Sequence, residues 1–101
     1  MHLVQVLLPL FERRGRKIPE AKFVLVQKEL TARFGGVTAY SHSPATGLWK
    51  KRGEVERDRI ILIEVVSKDF GKAWWKSYRR VVEKRFKQKQ VLIRALKITL
   101  I

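Results

Sequence analysis

Apolar and polar positions change their period several times along the chain, and each change marks an element. Leu3 to Leu8 (LVQVLL) is a short apolar run closed by Pro9, too short for a core helix and therefore a buried strand. Glu12 to Lys17 (ERRGRK) is a polar connection containing glycine. Pro19 suits the first turn of a helix, where its missing N–H costs nothing. Phe23, Val26, Leu30 and Phe34 then recur at spacings of three and four, one face of an amphipathic helix, and Gly35-Gly36 stop it. Val37 to His42 (VTAYSH) is β-branched and aromatic, hence a strand. Pro44 interrupts that strand and points to an edge or a bulge. Gly47-Leu48-Trp49 resumes it, and Lys51 to Asp58 (KRGEVERD) is expected to be a turn. Ile60 to Val66 (IILIEVV) is the strongest strand in the chain. Asp69 is the expected N-cap of a long helix over Phe70 to Lys87, and Val91 to Ile98 (VLIRALKI) is the last strand.

The order is β-α-β-β-α-β. Two βαβ halves with right-handed crossovers give an α+β, ferredoxin-like sandwich, an antiparallel four-stranded sheet in order 4-1-3-2 with both helices on one face. With 101 residues, the chain from 1 to 101 is a single domain.

Strand parity then assigns every side chain a face. Val4, Val6 and Leu8, with Ile61, Ile63 and Val65, and Val91, Ile93 and Ala95, belong under the helices. Leu3, Gln5 and Leu7, Ile60, Leu62, Glu64 and Val66, and Leu92, Arg94 and Leu96 share the open face. Thr38, Tyr40 and His42 join them if Pro44 leaves the register intact. Arg94, Gln5 and Glu64 therefore form a polar row on three adjacent strands, set among leucines. An apolar face this large is expected to be covered, and a C2 homodimer is the simplest cover.

Two readings of the row stay open. In one, Glu64 and Arg94 pair through Gln5 and fix the register of a dimer. In the other, the paired sheets leave a cavity in which Gln5, Tyr40, His42, Glu64 and Arg94 bind a small anionic molecule. There Arg94 would hold the anion, and Glu64 or His42 would act as base if the cavity does chemistry. Whether the protein is an enzyme stays open.

The stretch Arg33 to Trp49, RFGGVTAYSHSPATGLW, resembles a signature of small uncharacterised bacterial and archaeal proteins of about this length. Trp74-Trp75-x-x-Tyr78-Arg79 and Val91 to Ala95 fit the same resemblance. It implies a ferredoxin-like chain, of a kind that pairs sheet to sheet as a dimeric α/β barrel, and implies no catalytic residue. Other families with this fold fit less well. RNA-recognition domains stack bases on aromatics of the first and third strands, and VQVLL and IILIEVV contain none. Acylphosphatases need an asparagine, and the chain has none. CRISPR-associated nucleases carry an aspartate at the end of the first strand, where this chain has Leu8-Pro9-Leu10. Rolling-circle nucleases use a His-x-His pair, against Ser41-His42-Ser43.

Composition changes the picture in three ways. Cys 0 removes disulfides and thiolate chemistry, and two separated histidines make no metal site, so no metal or cofactor is expected. Depletion of Cys, Asn and Met beside 32% charged residues is a thermophile's pattern. No apolar run approaches the ~20 residues of a membrane span and no secretory signal is evident, so a cytoplasmic protein is expected.

The charge matters most. Lys+Arg 23 against Asp+Glu 9 gives +14, and the cations are unevenly placed. Residues 71–90 hold eight cations against Glu83 alone. Lys72, Lys76, Arg79, Arg80, Lys84 and Lys87 make the second helix a candidate surface for nucleic acid, read without regard to sequence through phosphates. On the Trp74-Trp75 pair, one ring is expected in the core and the other over a groove or an interface.

Overall fold

The structure is a computed structural model describing residues 1–51 and 54–101, with backbone pairing alone between 41 and 59. Six elements follow one another: β1 (His2–Pro9), α1 (Glu20–Phe34), β2 (Thr38–Lys51), β3 (Glu54–Ser67), α2 (Lys72–Arg85) and β4 (Leu92–Lys97). The sheet order is β2-β3-β1-β4, the expected order counted from the opposite edge, and every pairing is antiparallel. The fold is a ferredoxin-like α+β sandwich.

The core lies between the sheet and the two helices. Val4, Val6 and Leu8 of β1 and Ile61, Ile63 and Val65 of β3 are buried there, as alternation requires. They meet Phe23, Val26 and Leu30 of α1 and Trp75, Tyr78 and Val82 of α2. Phe86, at the end of α2, is fully buried and meets the Phe23 ring edge-on at 5.1 Å. Gly35 ends α1 in the left-handed conformation at φ 87, its N–H donating to the Thr31 carbonyl at 2.8 Å.

Two local expectations need correction. The residue capping α2 is Gly71, at φ 58, and not Asp69. The Asp69 carbonyl accepts the Ser67 hydroxyl, and Phe70 packs on the His2 ring at 5.2 Å, so the helix begins two residues later than Phe70. The expected turn over Lys51 to Asp58 is strand on both sides, with β2 running to Lys51 and β3 starting at Glu54. Its charged residues misled because they show no apolar alternation, the signal by which a strand is read. The expectation at Pro44 holds: β2 is an edge strand, and its pairing with β3 shifts register between Tyr40 and Ala45.

The pairing of β2 with β3 has a further consequence for shape. β1 pairs with β3 only from Ile60 to Ser67, so the pairs from Thr46–Arg59 to Lys51–Glu54 lie beyond the four-stranded sheet. The accessible surface is 7510 Å². A compact monomer of this mass exposes about 6,000 Å².

The helices are locked to each other by a clamp that no sequence pattern announced. Arg85 of α2 donates to both carboxylate oxygens of Glu29 on α1, at 2.5 and 3.0 Å, and the Tyr78 hydroxyl adds a third bond at 3.0 Å. The Arg85 hydrogen bond holds the Glu29 carboxyl below its ordinary range against the opposing cost of desolvation. Burial first, and the Glu29 hydrogen bond second, push the Tyr78 phenol well above its ordinary value.

The lowered Glu29 value fixes the sign of an acid effect. The clamp contributes fully above the unfolded carboxyl pKa of about 4.3 and is lost as pH falls through the lower folded value. Because the Glu29 side chain is 37% exposed, solvent screening weakens the effect, and thermal melts should show wild type losing about 0.5–1 kcal/mol between pH ~5 and pH ~2 that Glu29→Gln does not lose. Parallel acid slopes in the two proteins would rule out the clamp. Tyr78 has the opposite limb, its stabilisation declining as pH rises past about 10.

Candidate functional site

The open sheet face carries one continuous polar row. Register places Gln5 of β1 opposite both Arg94 of β4 and Glu64 of β3, and Glu64 opposite Thr38 of β2. Antiparallel partners share a face, so these side chains lie side by side. Arg94 Nε donates to Gln5 Oε1 at 2.6 Å, and Gln5 Nε2 donates to Glu64 Oε2 at 2.8 Å. From the far side the Tyr40 hydroxyl donates to Glu64 Oε1 at 2.9 Å. The row crosses all four strands as cation, amide, carboxylate and phenol. Glu64, by hydrogen bond and then by charge, raises the Tyr40 phenol above its ordinary value.

Four of the five candidate site residues are therefore brought together. The side chain of the fifth, His42, lies outside the described residues. Both oxygens of Glu64 and both ends of the Gln5 amide are already engaged within the row. What the row still offers outward is the rest of the Arg94 guanidinium, whose Nη groups have no hydrogen-bond partner among the described residues. Leu3, Leu7 and Leu62 are half-buried around it, and Val66, Leu92 and Leu96 are exposed. The chemistry available to an incoming group is thus anion binding beside an apolar surface. A depression of about 450 Å³ opens elsewhere, lined by Val24, Gln27, Lys28, Thr31, Ala32 and Val37, and involves none of the candidates.

The second candidate surface is the outer side of α2. Lys72, Lys76, Arg80 and Lys84 are exposed, recur every four residues, and have no carboxylate partner among the described residues. Arg79 and Lys87 are different. Arg79 lies 3.8 Å from Glu83, and Lys87 lies 3.5 Å from Glu12. Glu83 also accepts the Val91 N–H at 2.9 Å, which holds the only acid of α2 against the start of β4.

Trp75 is in the core, while half-buried Trp74 stacks on Tyr78 at 4.9 Å with the Arg33 guanidinium 4.3 Å from its centroid. The second ring of the pair is thus occupied from within the chain. Sequence reasoning missed Arg33, Glu29 and Arg85 as contact-makers.

Among the described residues no helix is long and apolar enough to cross a membrane. No protein-family model and no curated protein matches the chain, so the likeness carried by residues 33–49 stands as a resemblance. Solved structures do match. A phage SAM lyase in complex with S-methyl-5'-thioadenosine superposes with a TM-score of 0.67 at 12% identity, over 95% of this chain and 80% of its own. The divalent cation tolerance protein CutA1 from Thermus thermophilus gives 0.67 at 21% identity, over 99% of this chain and 86% of its own. CutA1 from Pyrococcus horikoshii gives 0.64 at 12%, over 100% and 86%. At these identities the likeness is one of fold: this chain is built like those proteins, as a ferredoxin-like βαββαβ sandwich.

Proposed function

We propose that the protein is a self-associating subunit that buries its open sheet face against that of a second copy, with the Arg94 row setting the register. The observation carrying this reading is that Gln5, Glu64 and Tyr40 are hydrogen-bonded within the row, which leaves the Arg94 Nη groups as the polar edge for the second copy to meet. A face whose polar groups already bond one another loses little when water leaves, whereas isolated charges would forbid burial. The open face also carries exposed Val66, Leu92 and Leu96 beside the row, apolar area that a second copy would take out of water. A homodimer is the simplest closed arrangement.

A second reading rests on the free donor edge of Arg94. Within a closed face it would bind a small anionic molecule, a carboxylate or phosphate attached to an apolar body that rests on Leu92 and Leu96. The names of the structural neighbours, one a lyase and two concerned with divalent cations, do not choose between these readings, because function resides in sites rather than folds.

Light scattering at several protein concentrations tests the association. Wild type should run as a multimer, and Leu62→Glu as a folded monomer, because it sets a second carboxylate on the face beside Glu64. Leu96→Glu, at a side chain 52% exposed, repeats the test at a position the fold of one copy does not need. A monomeric wild type, or multimers in both variants, would remove the open face as the interface.

A further inference from the structure

The free cations of α2 form an ordered array and not a random scatter. Lys72, Lys76, Arg80 and Lys84 advance about 6 Å per step along the helix and keep to one side of it. Of the apolar residues of α2, Trp75, Tyr78 and Val82 are spent on the core, as is Phe86 just past its end, and Val81 is the one large apolar side chain of the helix left exposed. This has two consequences for a partner. A single exposed valine is too small an apolar edge to insert into a lipid surface, so an anionic membrane would be met by charge. The helix also offers no aromatic ring for unstacked bases, since Trp74 is taken by Tyr78 and Arg33. The partner that fits is a stiff, dense line of phosphates, contacted from outside without reading bases.

The fold adds the second half of the argument. Both helices cover the sheet face opposite the polar row, so two copies joined through their open faces stack as helix, sheet, sheet, helix. Their two cationic arrays then point away from each other on opposite outer surfaces. One duplex cannot lie along both.

We propose that the outer face of α2 binds the phosphates of double-stranded nucleic acid and that the assembly, being two-sided, bridges two duplexes. The bridging half rests on the association proposed above, and the phosphate-binding half does not.

The experiment uses short duplex DNA of two unrelated sequences. Binding is read by fluorescence anisotropy, and bridging by capture of a labelled duplex on beads carrying an unlabelled one. Wild type should bind both sequences equally and capture the second duplex. With four phosphate contacts per face, affinity should fall about 10²-fold between about 50 and about 200 mM salt. The triple variant Lys76→Glu, Arg80→Glu and Lys84→Glu should lose both readouts. The same three positions changed to Gln serve if the reversal fails to fold. Leu62→Glu should keep binding and lose capture. No binding by wild type at low salt, equal binding by the triple variant, or tighter binding to phosphatidylserine vesicles than to DNA at matched salt would overturn the phosphate surface. Capture undiminished in a monomeric Leu62→Glu would overturn bridging by association while leaving the surface in place. A multimeric wild type that binds and fails to capture would overturn bridging alone.

Discussion

Phe86→Ala should destabilise the protein by about 3–5 kcal/mol, the largest loss expected from any single truncation. Phe86 is fully buried where α2 ends, and its ring meets Phe23 of α1 edge-on. Truncation removes a large apolar area and leaves a cavity between two helices that cannot collapse freely. Arg85, the preceding residue, is tied to Glu29, and Lys22 donates to the Arg85 carbonyl at 2.7 Å. Relaxation of the helix end would break that clamp, which places the cost toward the upper end of the range. For a domain of this size the melting temperature should drop by roughly 12–30 °C. A loss below about 1 kcal/mol by denaturant unfolding would show instead that the helix end repacks and that the clamp does not hold it.

Arg94→Met should cost the assembled protein about 3–5 kcal/mol, and the separated chain about 1 kcal/mol or less. The contrast follows from where the face lies. On a single copy Arg94 is exposed, so its loss from the row is screened by water. In the associated face the Glu64 carboxylate would be left without its compensating cation in a medium of low dielectric constant. Replacing Arg94 and Glu64 together with apolar residues should recover most of the loss, because no orphan charge remains. Concentration-dependent melting of the two single variants and the double variant gives the coupling directly. Additive losses would mean that Gln5 does not connect the two ends of the row.

Much of that row was legible in the sequence, and the reason is geometric. A strand repeats every two residues, so a run such as VQVLL with one polar member names its own faces. Strand order then decides which polar members become neighbours. Gln5, Glu64 and Arg94 meet because β1 lies between β3 and β4. Tyr40 follows because its register with β3 holds up to that residue, the shift falling between it and Ala45. Features that depend on loop conformation were not legible. Asp69 has the chemistry of a helix cap, yet a left-handed Gly71 carries the chain into α2. The pairing of residues 46–51 with 54–59 was hidden for another reason, since the charged run KRGEVERD shows no apolar alternation. The clamp between Glu29, Tyr78 and Arg85 joins residues 49 and 56 positions apart on different helices, and nothing local marks such a pair.

The position of β1 between β3 and β4 also bears on how the chain reaches this state. Gln5 finds one neighbour near residue 64 and the other near residue 94, so the sheet is completed by contacts between segments remote in the chain. Loop-closure entropy opposes such pairings until most of the polypeptide is present, which slows folding relative to a helical bundle of this size. During synthesis the central strand, rich in valine and leucine, waits half-paired while everything up to β4 is made. An unpaired hydrophobic edge is a template for other strands. The vulnerable species is therefore the nascent chain in which β4 has yet to emerge, and aggregation should begin there rather than from the finished fold.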